Sequence, residues 1–150
     1  MIYCLPKGLC SWNFFLNGDG HRASVEFNWL GEQGAIIADN VPFEVRKHGL
    51  FSGRWTLDHD GEPVALAQKD FTRTFNIQSA EDTLFLGAEF PLGRSFHLDY
   101  LGRRIARIQP EHAFTRRATI VVLGNECDFP TLCFAFWLVV LMWRRAASSD

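Results

Sequence analysis

Arg103, Arg104, Arg107, Arg116 and Arg117, with His112 among them, crowd one stretch of the chain. A guanidinium presents five N–H donors in a planar fork that matches phosphate or carboxylate bidentately. Adjacent strands would align several of these groups on one face, and the result would be an anion-binding patch. Charged residues also protect exposed strand edges, so the same arginines read as a solvated edge that needs no ligand.

Other residue types carry less chemistry. Asp58-His59-Asp60-Gly61 has the beginning of a calcium loop. Such a loop needs oxygen ligands through about twelve residues and a closing bidentate carboxylate, whereas Pro63-Val64-Ala65-Leu66 follows here. Turn chemistry explains these residues with no metal. Cys4, Cys10, Cys127 and Cys133 sit at no zinc-finger spacing. His21, His48, His59, His97 and His112 are scattered, with no nucleophile motif, phosphate loop or metal-spaced pair. The expectation is a non-enzymatic protein with no catalytic residues, no metal and no cofactor.

The elements that would position the arginines follow from an internal repeat. Trp12 to Ser24, Gly53 to Ala65 and Arg94 to Ala106 share one pattern: aromatic, any residue, Leu, Asp or Asn, two residues, Gly, two residues, apolar, small. Leu16, Leu57 and Leu98 stand 41 residues apart, as do Gly20, Gly61 and Gly102. Each copy alternates as a strand does, turns at its Gly, and continues into a second strand near 22–27, 63–69 or 103–109. Between copies, Ile36 aligns with Ile77, Phe43 with Leu84 and Val45 with Leu86. These positions add strands near 35–38 and 43–47, then 73–78 and 84–88. The third copy keeps a strand at 117–123, and 2–5 supplies its missing fourth.

Twelve strands in three repeats do not make the roughly four to eight blades of a propeller unless chains associate. A single twelve-stranded barrel is wider than the eight-stranded kind that fills its own interior, so something must occupy the lumen. Residues 132–143 are twelve unbroken apolar residues, apolar all round as a buried helix is. At about 1.5 Å per residue they span roughly 18 Å, a typical strand length. A membrane anchor would need about 20 such residues, and runs of about 10–14 are more often core helices. Asp128, Pro130, Arg144 and Arg145 suit the two ends of such a helix. The fold expected is all-β with one C-terminal helix, a closed twelve-stranded barrel over about 2–123 around a central helix at about 131–143. It forms one domain spanning 1–150.

Composition agrees. At 47% apolar, 21% charged and a formal charge of −2, the 150 residues describe an ordinary globular domain, and no general affinity for nucleic acid follows from the charge. The first residues, Met1 to Pro6, lack a cationic segment followed by an apolar stretch and cleavage site, so cytoplasmic residence is expected. The five tryptophans and fourteen phenylalanines suit a lumen and wall that need large apolar volumes.

The hairpin Trp55-x-Leu57-Asp58-x-x-Gly61-x-x-Val64-Ala65, repeated and followed by a strand, an acidic residue and an apolar C-terminal helix, resembles the tubby C-terminal-like superfamily, in particular its LURP-one-related and phospholipid-scramblase branches. The resemblance covers residues 12–143. It implies a twelve-stranded barrel around a buried helix. In tubby proteins that fold binds phosphoinositide headgroups through basic residues, scramblases are associated with calcium-dependent lipid movement, and many LURP-one-related proteins have no assigned activity. Where scramblases carry spaced aspartates, this chain has Asn125-Glu126-Cys127-Asp128. The function expected is a binding or scaffold domain contacting a membrane peripherally, with Arg103, Arg104, Arg107, Arg116 and Arg117 meeting anionic phospholipid headgroups. The alternatives are a protein–protein interaction module or a lipocalin-like carrier of a small ligand.

Overall fold

Phe14, Leu16, Ile36, Trp55, Leu57, Phe75, Ile77, Phe96 and Leu98 are fully buried, while the residues between most of them are not. That period of two is what a barrel wall requires, one face to the lumen and one to water. The computed structural model describes residues 1–70, 73–80, 82–90 and 93–149. Its strands are β1 (Ile2–Pro6), β2 (Phe14–Gly18), β3 (His21–Phe27), β4 (Gly34–Ala38), β5 (Val41–Lys47) and β6 (Arg54–His59). They continue as β7 (Glu62–Lys69), β8 (Thr74–Ser79), β9 (Asp82–Ala88), β10 (Phe96–Tyr100), β11 (Arg103–Pro110) and β12 (Ala118–Val122), and one helix, α1 (Phe129–Ser148), follows.

Every strand pairs antiparallel with its sequence neighbours, and β1 closes the ring against β12 through Ile2–Ile120, Tyr3–Thr119 and Cys4–Ala118. The N-terminal segment thus completes the barrel as its spacing suggests. Turn chemistry recurs at the 41-residue spacing: Asp19, Asp60 and Leu101 have φ of 52°, 50° and 50°, each followed by a positive-φ Gly. Two successive left-handed residues make the tight hairpin turn whose twist matches that of its strands.

The three hairpins are not identical, contrary to what their common pattern suggests. β2 pairs with β3 in unbroken register, Leu16 opposite Ala23. In the other two the register slips, between Leu57 and Asp58 and between Leu98 and Asp99. Val64 and Ile105 become the extra residues of bulges, which turn Ala65 and Ala106 toward the lumen where the first copy turns Ala23. A one-residue slip exchanges the faces of a strand, and here small residues are kept against the helix in all three.

The helix runs through the barrel, buried from Phe129 to Trp143 apart from a partly covered Pro130. Its span exceeds the expected 131–143 at both ends. Asp128 caps it, its side chain accepting the Thr131 N–H at 2.8 Å, so Phe129 and Pro130 belong to the first turn. At the far end nothing halts it, because Arg144 to Ala147 are good helix formers, and the last residues project past the wall into solvent. By length and composition α1 could cross a membrane; in this fold its apolar surface is covered by the barrel wall instead. The open lumen that a small-molecule carrier would need is filled.

Trp137 fixes the depth of the helix. Its ring stacks on Phe27 at 4.4 Å and its Nε1–H donates to the Glu26 carbonyl at 3.1 Å. Gly34 leaves room for that contact, since a Cβ there would stand 1.9 Å from the Glu26 oxygen and 2.7 Å from Trp137 Nε1. Gly34→Ala is expected to cost at least about 1–3 kcal/mol, the range for overpacking, read as a lowered urea midpoint. Deleting everything after Cys127 is expected to yield a molten or insoluble chain; a truncated barrel that melts cooperatively would show that the helix is dispensable.

Candidate anion-binding face

The up-and-down order sorts the connections to two ends of the barrel. Tight turns at 19–20, 39–40, 60–61 and 101–102 share one end with the start of the helix. The connections 7–13, 28–33, 48–53 and 111–117, with residues 70, 73, 89, 90 and 93–95, share the other, where the helix emerges. Charge is sorted with them. Lys7, Lys47, Arg54, Lys69, Arg73, Arg94, Arg116, Arg117, Arg144 and Arg145 all lie at the loop end or on strand residues that enter it. Asp19, Asp39, Asp60, Asp82, Glu126 and Asp128 mark the turn end. Glu32, Asp70, Glu89 and Glu111 also stand at the loop end and Arg22, Arg103 and Arg104 at the turn end, so the sorting is a net one: a chain of charge −2 carries its excess of cations at the loop end and its excess of acids at the turn end. The helix dipole, negative at its C-terminus, favours cations at the loop end.

Within the loop end, one set of cations is neutralised. Glu32 accepts from Lys47 Nζ and from Arg145 Nε and a terminal nitrogen, each at 2.6 Å, and both cations lie over the Trp55 ring. Hydrogen bonding to Arg145, reinforced by Lys47, holds the Glu32 carboxyl at about 2. The clamp joins the 28–33 loop to the helix.

A second set surrounds a cavity of about 560 Å³ lined by Trp12, Arg73, Arg94, Phe114, Arg116 and Trp143, among others. Arg94 donates to the carbonyls of Ala113 at 3.2 Å and Thr115 at 2.8 Å, and its guanidinium lies over Trp143. Arg116 donates to the Ser11 carbonyl at 2.8 Å and lies 4.3 Å from the centre of the Trp12 ring. Arg73 bonds the carbonyls of Phe90 and Gly93 and lies over Phe96. Each guanidinium thereby ties its loop to the next. Among the described residues no carboxylate stands within 4.0 Å of Arg94 or Arg116. Burial, and then the charge of Arg116, lowers the pKa of Arg94. Two partly desolvated cations facing one cavity, each with N–H donors left over, favour an anion between them.

The five arginines singled out in the sequence divide. Arg116 and Arg117 enter the loop end, Arg117 exposed. Arg103, Arg104 and Arg107 lie on the outer wall, each beside an acid from elsewhere in the chain. Arg103 pairs with Glu126, Arg104 with Asp99 at 3.4 Å and Glu89 at 3.7 Å, and Arg107 with Glu89 at 2.9 Å. His97 joins this ladder 3.6 Å from Asp99, and burial, ahead of Arg104, lowers its pKa. His112 is exposed on the 111–117 loop. Arg73 and Arg94 escape a reading of local clusters because each stands alone in its own connection; the up-and-down strand order brings them to Arg116, and ring closure adds Ser11 and Trp12.

Asp58 is buried on β6, 3.6 Å from Arg46, and Asp60 occupies the turn. Among the described residues no three His, Cys, Asp or Glu side chains are grouped to hold a metal. The barrel, its internal helix and its cationic end define a closed single-barrel protein with one chemically distinct face. The chain matches no protein-family model, no curated protein and no solved structure.

The Glu32 clamp has a pH signature. A carboxyl whose folded value is about 2, against an ordinary 4.5, stabilises the fold above the ordinary value, and that stability is lost as pH falls through about 2. Melting temperatures of wild type should fall over this window more steeply than those of Glu32→Gln, which should be less stable at neutral pH.

Proposed function

We propose that this chain is a non-enzymatic binding domain that recognises anionic phospholipid headgroups at a membrane surface, and that it does so with the loop end of its barrel. The observation that carries the reading is the pair Arg94 and Arg116, turned to one cavity with no carboxylate among the described residues within 4.0 Å of either. The axial separation of charge supports it, because an anionic surface attracts the loop end and repels the turn end. The resemblance to tubby C-terminal-like domains supports the same ligand class.

Of the sequence-derived arginines, this reading favours Arg116 and Arg117 over the wall ladder of Arg103, Arg104 and Arg107. An ion-paired guanidinium has less to offer a phosphate. Headgroup contact through the loop end also leaves the wall free for a protein partner.

Sedimentation with phosphatidylcholine vesicles, with and without phosphatidylserine, tests the assignment. Binding is expected only with the anionic lipid and should weaken with salt, since exposed charges are screened over about 10 Å at roughly 0.1 M. Near such a surface each basic residue contributes about 1 kcal/mol, so Arg94→Gln with Arg116→Gln should weaken binding about thirtyfold. The triple variant Arg103→Gln, Arg104→Gln, Arg107→Gln should change it much less, and Glu32→Gln, which releases Lys47 and Arg145, should strengthen it. A larger loss from the wall triple than from the cavity pair would move the site to the wall.

A further inference from the structure

Leu9, Trp29, Leu30, Phe51, Phe90 and Phe114 are large apolar residues lying 66% to 99% exposed. Scattered apolar residues on a surface need no explanation. These are not scattered. They occupy five different connections, and all five are at the loop end. The tight turns at the other end present Asp19, Asp39, Asn40 and Asp60, with Leu101 as the apolar exception.

The strands do not require this placement. No partner inside the barrel covers these tips, although the helix and lumen beside them are densely packed. Among their neighbours at this end cations outnumber acids: Lys69, Arg94, Arg116, Arg117 and Arg144 stand there, while Glu32 and Glu89 are held in ion pairs and Asp70 and Glu111 are the other acids of these connections. A protein interface has a contiguous apolar centre from which charge is depleted. Apolar tips on separate loops, with Lys and Arg between them, instead match a lipid interface, where aromatic and aliphatic side chains enter the acyl boundary and cations remain among the headgroups.

Resting on the lipid-surface reading above, we infer that the loop tips insert into the facing leaflet of an anionic membrane, so that the barrel stands end-on with its axis along the membrane normal. Leu9, Trp29, Leu30, Phe51 and Phe114 are the inserting residues. The helix stays in the lumen, and its projecting end brings Arg144 and Arg145 to headgroup depth. Insertion adds a component that salt does not screen, since burial of apolar surface is insensitive to the Debye length. The turn end, with its acids, faces away from the membrane.

Cysteine chemistry offers a direct test. Cys10 is exposed in the 7–13 loop, Cys4 and Cys133 are buried, and burial pushes the Cys127 thiol up to about 12, so a maleimide fluorophore sensitive to polarity should label Cys10 selectively. The comparison protein carries Cys10→Ser and Leu101→Cys, with the same probe at the opposite end. With phosphatidylserine-containing vesicles, emission from position 10 should shift to the blue and be quenched by brominated acyl chains, while emission from position 101 should not change. Leu30→Ser with Phe51→Ser should keep the melting temperature and lose about tenfold or more in vesicle affinity at about 1 M salt. Vesicle-bound protein whose position-10 probe stays in water would overturn insertion and leave headgroup recognition standing. Failure of wild type to sediment with anionic vesicles at low salt would overturn both. A blue shift without lipid, growing with protein concentration, would assign the crown to a second copy of the chain and overturn insertion.

Discussion

The lumen of a twelve-stranded barrel cannot be left empty, and the rest of the structure follows from how it is filled. Small barrels meet in the middle through their own side chains. Here β-strand residues as small as Ala23, Ala65, Ala67, Ala106 and Ala118 face inward, and the space they leave is taken by a helix apolar on every side. Phe14 against Phe136 and Phe27 against Trp137 show the result, ring to ring contact between wall and helix. The bulges of the second and third hairpins serve the same end, because without the slip Val64 and Ile105 would face the helix in place of Ala65 and Ala106.

Filling the lumen with the last segment of the chain also fixes polarity. The helix enters beside the acidic turns, capped by Asp128, and leaves among the long connections. Its unsatisfied carbonyls then lie where Arg94, Arg116 and Arg145 gather, so the distribution of charge and the direction of the helix support each other. Tryptophans link the two parts at the loop end: Trp143 donates to the Arg94 carbonyl and Trp55 to the Glu32 carbonyl, each at 3.0 Å. The cationic face is thus held by the core, and Arg94 and Arg116 are positioned by backbone bonds that do not consume their charge.

The same end combines cation, aromatic platform and exposed apolar tip. Arg94 over Trp143 and Arg116 over Trp12 are held from two directions, by a ring and by a carbonyl. A guanidinium restrained in this way loses less freedom when it meets a phosphate than one on an unrestrained side chain.

Most of the barrel is written in the chain. The alternation of Phe14, Leu16, Trp55, Leu57, Phe96 and Leu98, the turn glycines and the apolar run from 132 to 143 are local signals, and local signals determine strand, turn and buried helix. The helix ends were partly legible: Asp128 reads as a cap, but no residue marks where burial stops, because burial depends on the height of the wall. The hairpin bulges were not legible, since Ala23, Val64 and Ile105 share a position in the pattern and only contact with the helix decides which side chain turns inward. The cationic loop end was legible only in part. Clustering in sequence singled out Arg103, Arg104, Arg107, Arg116 and Arg117, and the charges of the first three are answered by Asp99, opposite Arg104 on β10, and by Glu89 and Glu126 from other segments. Arg73, Arg94 and Arg116 are far apart in the chain and become neighbours only because an up-and-down barrel gathers alternate connections at one end. Sequence determined the elements through periodicity; tertiary structure decided which charges meet, because that depends on strand order and ring closure.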